Sequence, residues 1–310
     1  MPQAKAPRAG RAPARSLDMR LIAVVAVTVI SWGSAFAGIR AALGAYTPGH
    51  LALLRYTIAS LALAILAART GMRLPRRRDL PGLALIGLVG ISFYNIALGY
   101  GEMTIPAGTA SLLIASTPVW MALFATLLFH ERLSSLGWLG IALSFAGAAV
   151  IALGTGGALG VDPRALIVLA AAVASAAYSL GQKPFLARYS ALECTAYAIW
   201  AGTALLLPFA PGLWAELRAA PAAATLAIAY LGVVPAALGY VLWAWILARV
   251  PAATAGSFLY LVPAAAALVA WVWLGETPTP LAVAGGVLVI GGVILVNRWG
   301  RARAPAAESA

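Results

Sequence analysis

Apolar runs as long and unbroken as VLVIGGVILV, spaced along nearly the whole chain, constrain its fold more than any motif in it. A hydrocarbon core of about 30 Å is crossed by a helix of about 20 apolar residues. Segments of that kind fall at 21–41, 47–68, 80–101, 105–129, 136–154, 164–182, 193–210, 222–247, 252–274 and 281–297. In lipid every backbone N–H and C=O must be satisfied within the protein, which leaves helices or a closed barrel. Barrel strands alternate polar and apolar residues, and these runs do not, so the segments are helices. With 63% hydrophobic and 10% charged residues and a mean hydropathy of +0.93, the chain lacks the polar surface to cover a soluble globule. The expected class is an all-α integral membrane protein with ten transmembrane helices.

The net charge of +12 would suit a nucleic-acid partner if it were gathered on one surface, but it is distributed loop by loop. Of the 21 Lys and Arg, all but Arg40, Arg55, Arg164 and Arg218 fall in alternate loops and the two tails. That asymmetry orients the helices with both termini in the cytoplasm, as expected for a bacterial-type inner membrane, and leaves no basic surface calling for nucleic acid. Residues 1–20, rich in Pro, Ala and Arg, read as a disordered basic tail, and 299–310 as a second tail. The first apolar segment is too long for a signal peptide and lacks a cleavage site, so it reads as an uncleaved helix. A single cysteine, Cys194, permits no internal disulfide, and with only His50 and His130 beside it no Cys/His metal site is expected. Nor does the chain call for a cofactor.

Sliding the chain by 145 residues superimposes Pro106 on Pro251, Thr109 on Thr254, Pro118 on Pro263, Glu131 on Glu276, Gly140 on Gly285 and Gly147 on Gly292. Ser34 meets Ser179 and Gly87 meets Gly232 at the same offset. Two five-helix units result, 21–154 and 164–298, and because five is odd the second enters the membrane from the opposite face. Inverted repeats around a midplane site are a construction of secondary transporters. Pro118, Glu131, Pro263 and Glu276 mark the repeat. Since the two glutamates fall on opposite faces, each reads better as a turn or helix-start anchor, with Ser134 or Thr279 capping the next helix, than as a gate or proton relay.

The segment WGSAFAGIR, the segment TPGHLALLRYTIASLALAIL, and the pair of Pro and Glu motifs each followed by a Gly-rich helix resemble the EamA family of the drug/metabolite transporter superfamily over residues 20–298. The resemblance implies a permease for small metabolites, amino-acid export being its best-known activity. It also implies a central cavity within helices one to four of each half, with the fifth of each half outside. The glycines of the fifth and tenth segments, Gly137, Gly140, Gly147, Gly285, Gly286, Gly291 and Gly292, suit close helix packing, and a homodimer interface is their second use.

Polar stripes locate the cavity independently. Ser92, Asn95, Gly99 and Glu102 share one helical face, as do Ser175, Tyr178 and Gln182, and Thr109, Ser116 and Trp120. Aromatics at Trp214, Trp271, Trp273 and Trp299 suit the lipid–water interfaces. Those at Trp32, Tyr94, Tyr100, Trp200, Tyr240, Trp243 and Tyr260 lie deeper and could wall a site, while packing the core is their alternative. The substrate-binding candidates are therefore Trp32, Ser34, Arg55, Tyr94, Asn95, Tyr100, Ser116, Trp120, Tyr178, Gln182, Trp200, Tyr240, Trp243 and Tyr260.

Arg55 is the one charge inside a helix, where a cation costs about 2.5–3.5 kcal/mol. Pairing with Glu102, snorkelling to the interface, or attraction of a substrate carboxylate would each offset that cost. A proton-exchanging cation pump would need an acid in mid-helix, and a sugar-phosphate exchanger several buried cations; neither pattern is present. No nucleophile–base pair or acid pair marks an enzyme. The expectation is a carrier exporting small neutral or zwitterionic metabolites, amino acids foremost, by alternating access, with a small-molecule substrate and membrane lipid as partners. A carrier of other organic solutes, such as a drug or sugar derivative, and a non-transporting membrane interaction protein are the alternatives.

Overall fold

The computed structural model describes residues 19–129, 133–154, 162–250, 255–256 and 258–299. Most of both tails, together with His130, Glu131, Arg132, Pro251 and Thr254, lies outside the described residues, so the local reading of Glu131 is carried by its mate alone. Helices follow one another throughout: α1 (Met19–Ala42), α2 (Pro48–Thr70), α3 (Arg77–Glu102), α4 (Ala107–Ile114, resuming as Thr117–Phe129), α5 (Ser135–Leu153), α6 (Pro163–Leu186), α7 (Ala191–Phe209), α8 (Ala222–Leu247), α9 (Leu259–Leu274) and α10 (Pro280–Trp299). Among the described residues all but the shorter α9 are long and apolar enough to cross a bilayer.

Their starts follow from local chemistry. Ser134 accepts from the Gly137 amide at 3.1 Å and Thr279 from the Ala282 amide at 3.2 Å, satisfying a first-turn donor of α5 and α10. Asp162 caps α6 in the same way, accepting from the Arg164 amide at 2.8 Å. A hydrogen bond from the Thr104 hydroxyl, then that amide, hold the Asp162 carboxyl below its ordinary range. Ser190 and Glu193 form a reciprocal capping box at the start of α7.

Breaks in α3, α4, α8 and α9 obey the 145-residue repeat; α6 is interrupted too, at Gln182, without a counterpart in α1. In α4 the helix is interrupted at Ala115–Ser116, just ahead of Pro118. Proline has no N–H to give the carbonyl four residues back, at Ile114; the Thr117 hydroxyl donates to it instead at 2.7 Å. In α9 the mate Pro263 follows a single 3-10 turn at Leu259–Leu261. In α3 the turns over Leu88–Phe93 are π-helical, and in α8 those over Gly232–Leu238 are too. Pro235 lies within the second; the first has no proline.

The most extensive helix pairing joins α5 to α10 at the periphery. An added Cβ on Gly147 would lie 2.6 Å from the Gly285 carbonyl oxygen, and one on Gly285 would lie 2.6 Å from that of Gly147; Gly140 and Gly292 make the second such crossing. Between them the Ser144 hydroxyl donates to the Val289 carbonyl at 2.9 Å. Without a hydrophobic drive between helices in lipid, backbone proximity of this kind is what holds them together. Gly140, Gly147, Gly285 and Gly292 thus serve close packing within the chain.

Candidate functional site

Seven helices, α1, α2, α3, α4, α6, α8 and α9, surround a central cavity of about 800 Å³ of atom-free space, including the part that opens outward. The helices expected to stand outside, α5 and α10, contribute nothing to its lining; α7, expected inside, also contributes none. The reason lies in what α7 packs against: it lies on α2 and α3, with the Ser92 hydroxyl donating to the Gly202 carbonyl at 2.8 Å and the Trp200 indole donating to the Ser60 carbonyl at 3.1 Å.

Trp32, Arg55, Tyr94, Tyr178, Tyr240 and Trp243 border the cavity. Tyr240 is the hub of its aromatic wall, edge-on to Trp32 at 5.6 Å, to Tyr178 at 5.7 Å and to Tyr56 at 6.4 Å between ring centres. Trp243 stacks on Trp32 from the other side at 5.3 Å. Edge-to-face rings hold one another in place and leave an apolar wall with a few aimed polar tips.

The π-helical turns put two carbonyls into this wall. Gly90 and Pro235 are repeat mates; the Tyr240 hydroxyl donates to the Gly90 carbonyl at 3.4 Å, and the Trp32 indole donates to the Pro235 carbonyl at 3.1 Å. A side chain on Gly90 would collide with the Tyr178 ring, so glycine there makes room for the wall.

Arg55 is buried to 3% exposure and makes no salt bridge among the described residues, so of the three ways to offset its charge the direct bond to Glu102 is not formed. Its guanidinium donates to the Asn95 side-chain oxygen at 3.0 Å and lies 5.2 Å from the centre of the Tyr56 ring. Asn95 is held in turn, donating to the Tyr56 hydroxyl and the Ile91 carbonyl, both at 2.8 Å. Tyr56 donates onward to Tyr240 at 3.3 Å. The result is a chain of hydrogen bonds running from a buried cation to the hub of the aromatic wall, with Nε of the guanidinium unpartnered. Burial also argues against snorkelling.

The remaining candidates stand elsewhere. Asn95 supports Arg55 from behind without bordering the cavity. Ser34 is engaged with the Tyr230 hydroxyl at 2.6 Å, between α1 and α8. Tyr100 is 41% exposed, because two residues beyond Leu98 place it on the opposite side of α3. Ser116 donates to the Leu113 carbonyl at 2.7 Å within the break of α4, and Trp120 lies edge-on to Phe145 at 4.9 Å between α4 and α5. Gln182 is fully buried at the interruption of α6. Trp200 faces α2, and Tyr260 is taken up by Asn297 of α10.

Sequence spacing placed Ser175 on a cavity face beside Tyr178 but missed Gly90, Ser111, Thr117 and Ser179 among the lining residues. Ser179 carried a signal, since it shares the helical face of Ser175. Ser111 and Thr117 straddle the break in α4, where regular spacing no longer reports a shared face.

One end of this assembly is tied by an ion pair. Arg40, at the end of α1, donates to Glu276 at 3.2 Å and also to the carbonyls of Glu102 and Met103. The other oxygen of Glu276 accepts the Ala107 amide at 3.0 Å. Glu276 therefore anchors a helix start, but that of α4 in the other repeat rather than α10, its sequence neighbour. Carboxylate on an unsatisfied first-turn amide is the favoured arrangement at a helix N-terminus.

Two inverted five-helix repeats, broken helices meeting at a central cavity and an apolar outer surface define a membrane transporter. The chain belongs to the EamA-like transporter family, matching it over residues 19–153 and again over 163–298. It is 47% identical over 272 residues to a probable terminal-alkyne amino-acid exporter of Streptantibioticus cattleyicolor, covering 88% of this chain and 91% of that one. It is 41% identical to the uncharacterized transporter YdfC of Bacillus subtilis, over 84% and 86% of the two chains. A solved crystal structure 20% identical to it shares the fold, with a TM-score of 0.61 over 90% of this chain and 96% of the other.

Proposed function

We propose that this protein is a secondary carrier that exports small neutral or zwitterionic metabolites, most of all amino acids, by alternating access. The observation that carries the proposal is the cavity: atom-free space of about 800 Å³, central, walled by aromatic rings and placed where four broken helices meet. A mostly apolar pocket with a few aimed polar groups suits a small organic solute. The likeness to a chain described as an amino-acid exporter supports the substrate class. No acid borders the cavity among the described residues, and Arg55 is its one cation, so neither a cationic drug nor a multiply charged phosphate ester finds the countercharge it would need. In this reading both termini face the cytoplasm, the membrane is a bacterial inner membrane, and the Arg40–Glu276 end faces outward.

Alternating access exchanges the conformations of the two repeats, and the breaks in α3, α4, α8 and α9 are where such an exchange would bend the molecule. Counterflow of labelled amino acids in proteoliposomes, run with and without a pH gradient, tests the reading. Accumulation of a labelled amino acid against an unlabelled internal pool is the expected result. Vesicles that exchange none of a broad panel of amino acids would sink it.

A further inference from the structure

Resting on the carrier reading above, we infer that the cavity recognises its solute by a single carboxylate, taken by Arg55, and by an uncharged body laid against the aromatic wall. A free amine is tolerated rather than read. The substrate class is thus apolar monocarboxylates, of which amino acids are one part.

Arginine keeps its charge under all conditions in a protein, so burial cannot neutralise Arg55 as it would a lysine. Among the described residues it has no ion pair, only the neutral oxygen of Asn95 and the face of Tyr56, and its Nε has no acceptor at all. The fully buried Glu102 carboxyl interacts with Arg55 electrostatically but makes no salt bridge to it, so a cation bordering a largely apolar space is left able to take an anion. A carboxylate fits the planar fork of guanidinium donors, and one cation balances one negative charge.

Nothing answers an ammonium in the same way. Of the lining hydroxyls, Ser111 donates to the Gly108 carbonyl at 2.6 Å, Thr117 to that of Ile114 and Tyr240 to that of Gly90, while the Tyr178 hydroxyl has no partner. They can offer an ammonium neutral lone pairs, but no described residue on the lining offers it a negative charge. Removing the amine, or masking it, therefore removes a desolvation cost without removing a recognised group. The wall of Trp32, Tyr178, Tyr240 and Trp243 sets the preference for the body of the solute, which should be branched or aromatic and carry no second charge.

Five probes of matched shape test this on the purified full chain by thermal shift: leucine, N-acetylleucine, 4-methyl-2-oxopentanoate, leucinamide and 3-methylbutylamine. The three carboxylates are expected to stabilise the protein and the amide and amine to leave it unmoved. Arg55→Gln is expected to weaken carboxylate binding by about ten- to a hundredfold, the scale of a charge-assisted pair. Should that variant fold poorly, Asn95→Asp retains the arginine but gives it a carboxylate of its own, and should weaken binding of the three probes comparably. Binding of the amide or amine as tight as that of the acids, or carboxylate binding unchanged in both variants, would overturn the inference. Vesicle counterflow keeps the two readings apart. Leucine exchange inhibited as well by leucinamide as by the oxo acid sinks the carboxylate reading alone, whereas carboxylate binding without exchange of any solute sinks the carrier.

Discussion

The seam between α5 and α10 and the cavity are built from the same repeat, yet one keeps the symmetry down to single atoms and the other abandons it. At the seam Gly147 faces Gly285 and Gly140 faces Gly292, each pair exchanged by the inversion. Around the cavity the backbone keeps the repeat, with π-helical turns at Leu88–Phe93 and Gly232–Leu238, but the side chains do not. Tyr240 stands where the first repeat has Asn95, Trp200 where it has Arg55, and Phe185 where it has Arg40. A hinge that must work equally well in either direction benefits from matched backbones. A binding site has to hold one asymmetric solute, and two arginines at mirrored places would leave a second cation uncompensated. Symmetry therefore belongs to the machinery and asymmetry to the ligand.

The largest effect expected from breaking this contrast is at the seam. Gly285→Leu forces a side chain onto the Gly147 carbonyl, whereas Gly291→Leu, one residue before the second crossing glycine Gly292 but with its nearest neighbour, Leu143, at 3.9 Å, meets open packing. Overpacking of this kind costs about 1–3 kcal/mol or more. Fluorescence-detected size exclusion should show loss of the folded peak for the first and retention for the second; equal behaviour would mean that the close crossing does not hold α5 to α10.

The next effect concerns the Arg40–Glu276 ion pair, where Phe185 stands at the mate position of Arg40. Arg40→Gln removes the bond to Glu276 and those to two carbonyls of the α3 end. A cysteine placed at Ser111 on the cavity wall should then react several-fold faster with a maleimide added from outside. Background is low, because Cys194 is buried. An unchanged rate would remove the latch role from Arg40.

Smaller still are the two caps. Ser134→Ala and Thr279→Ala each delete an acceptor for a first-turn amide, worth about 1 kcal/mol. Ser134 also donates to the Trp299 carbonyl, a bond for which Thr279 has no counterpart among the described residues, so its substitution should lower the melting temperature more than the other. The smallest change is Tyr240→Phe, which deletes two long bonds, to Tyr56 and Gly90, while keeping the ring. Solute affinity should fall about two- to fivefold, the measure of one weak hydrogen bond. A drop as large as that of Arg55→Gln would move the centre of the site from the arginine to the tyrosine.

Much of the architecture was legible before any coordinates. The apolar segments gave the spans, and Pro118 with Pro263 gave the register of the repeat. The seam glycines were legible because close backbone approach admits few other residues. The site was legible in part. Arg55 stood out since a lone cation in a helix has few uses, and Trp32, Tyr94, Tyr178, Tyr240 and Trp243 because large rings deep in a span wall whatever space is there. Ser34, Ser116, Trp120 and Tyr260 have the same chemistry and were claimed by helix contacts instead. Glu102 shows the limit of pairing charges by position: it lies on the expected side, yet Arg55 turns to Asn95.

The sequence by itself determined that the chain spans a membrane as helices, that its halves are inverted copies, and which faces would pack closely. Those properties follow from length, hydropathy and spacing, all of which are local or periodic. Only the tertiary structure decided which polar face meets the cavity. A π-helical turn in α3 and a proline break in α4 carry the helix out of regular register, so residues that share a face on an ideal helix, such as Ser92 and Asn95, end with different partners. Which break turns a side chain inward is settled by the opposing repeat packed against it, and that contact is not written in either half alone.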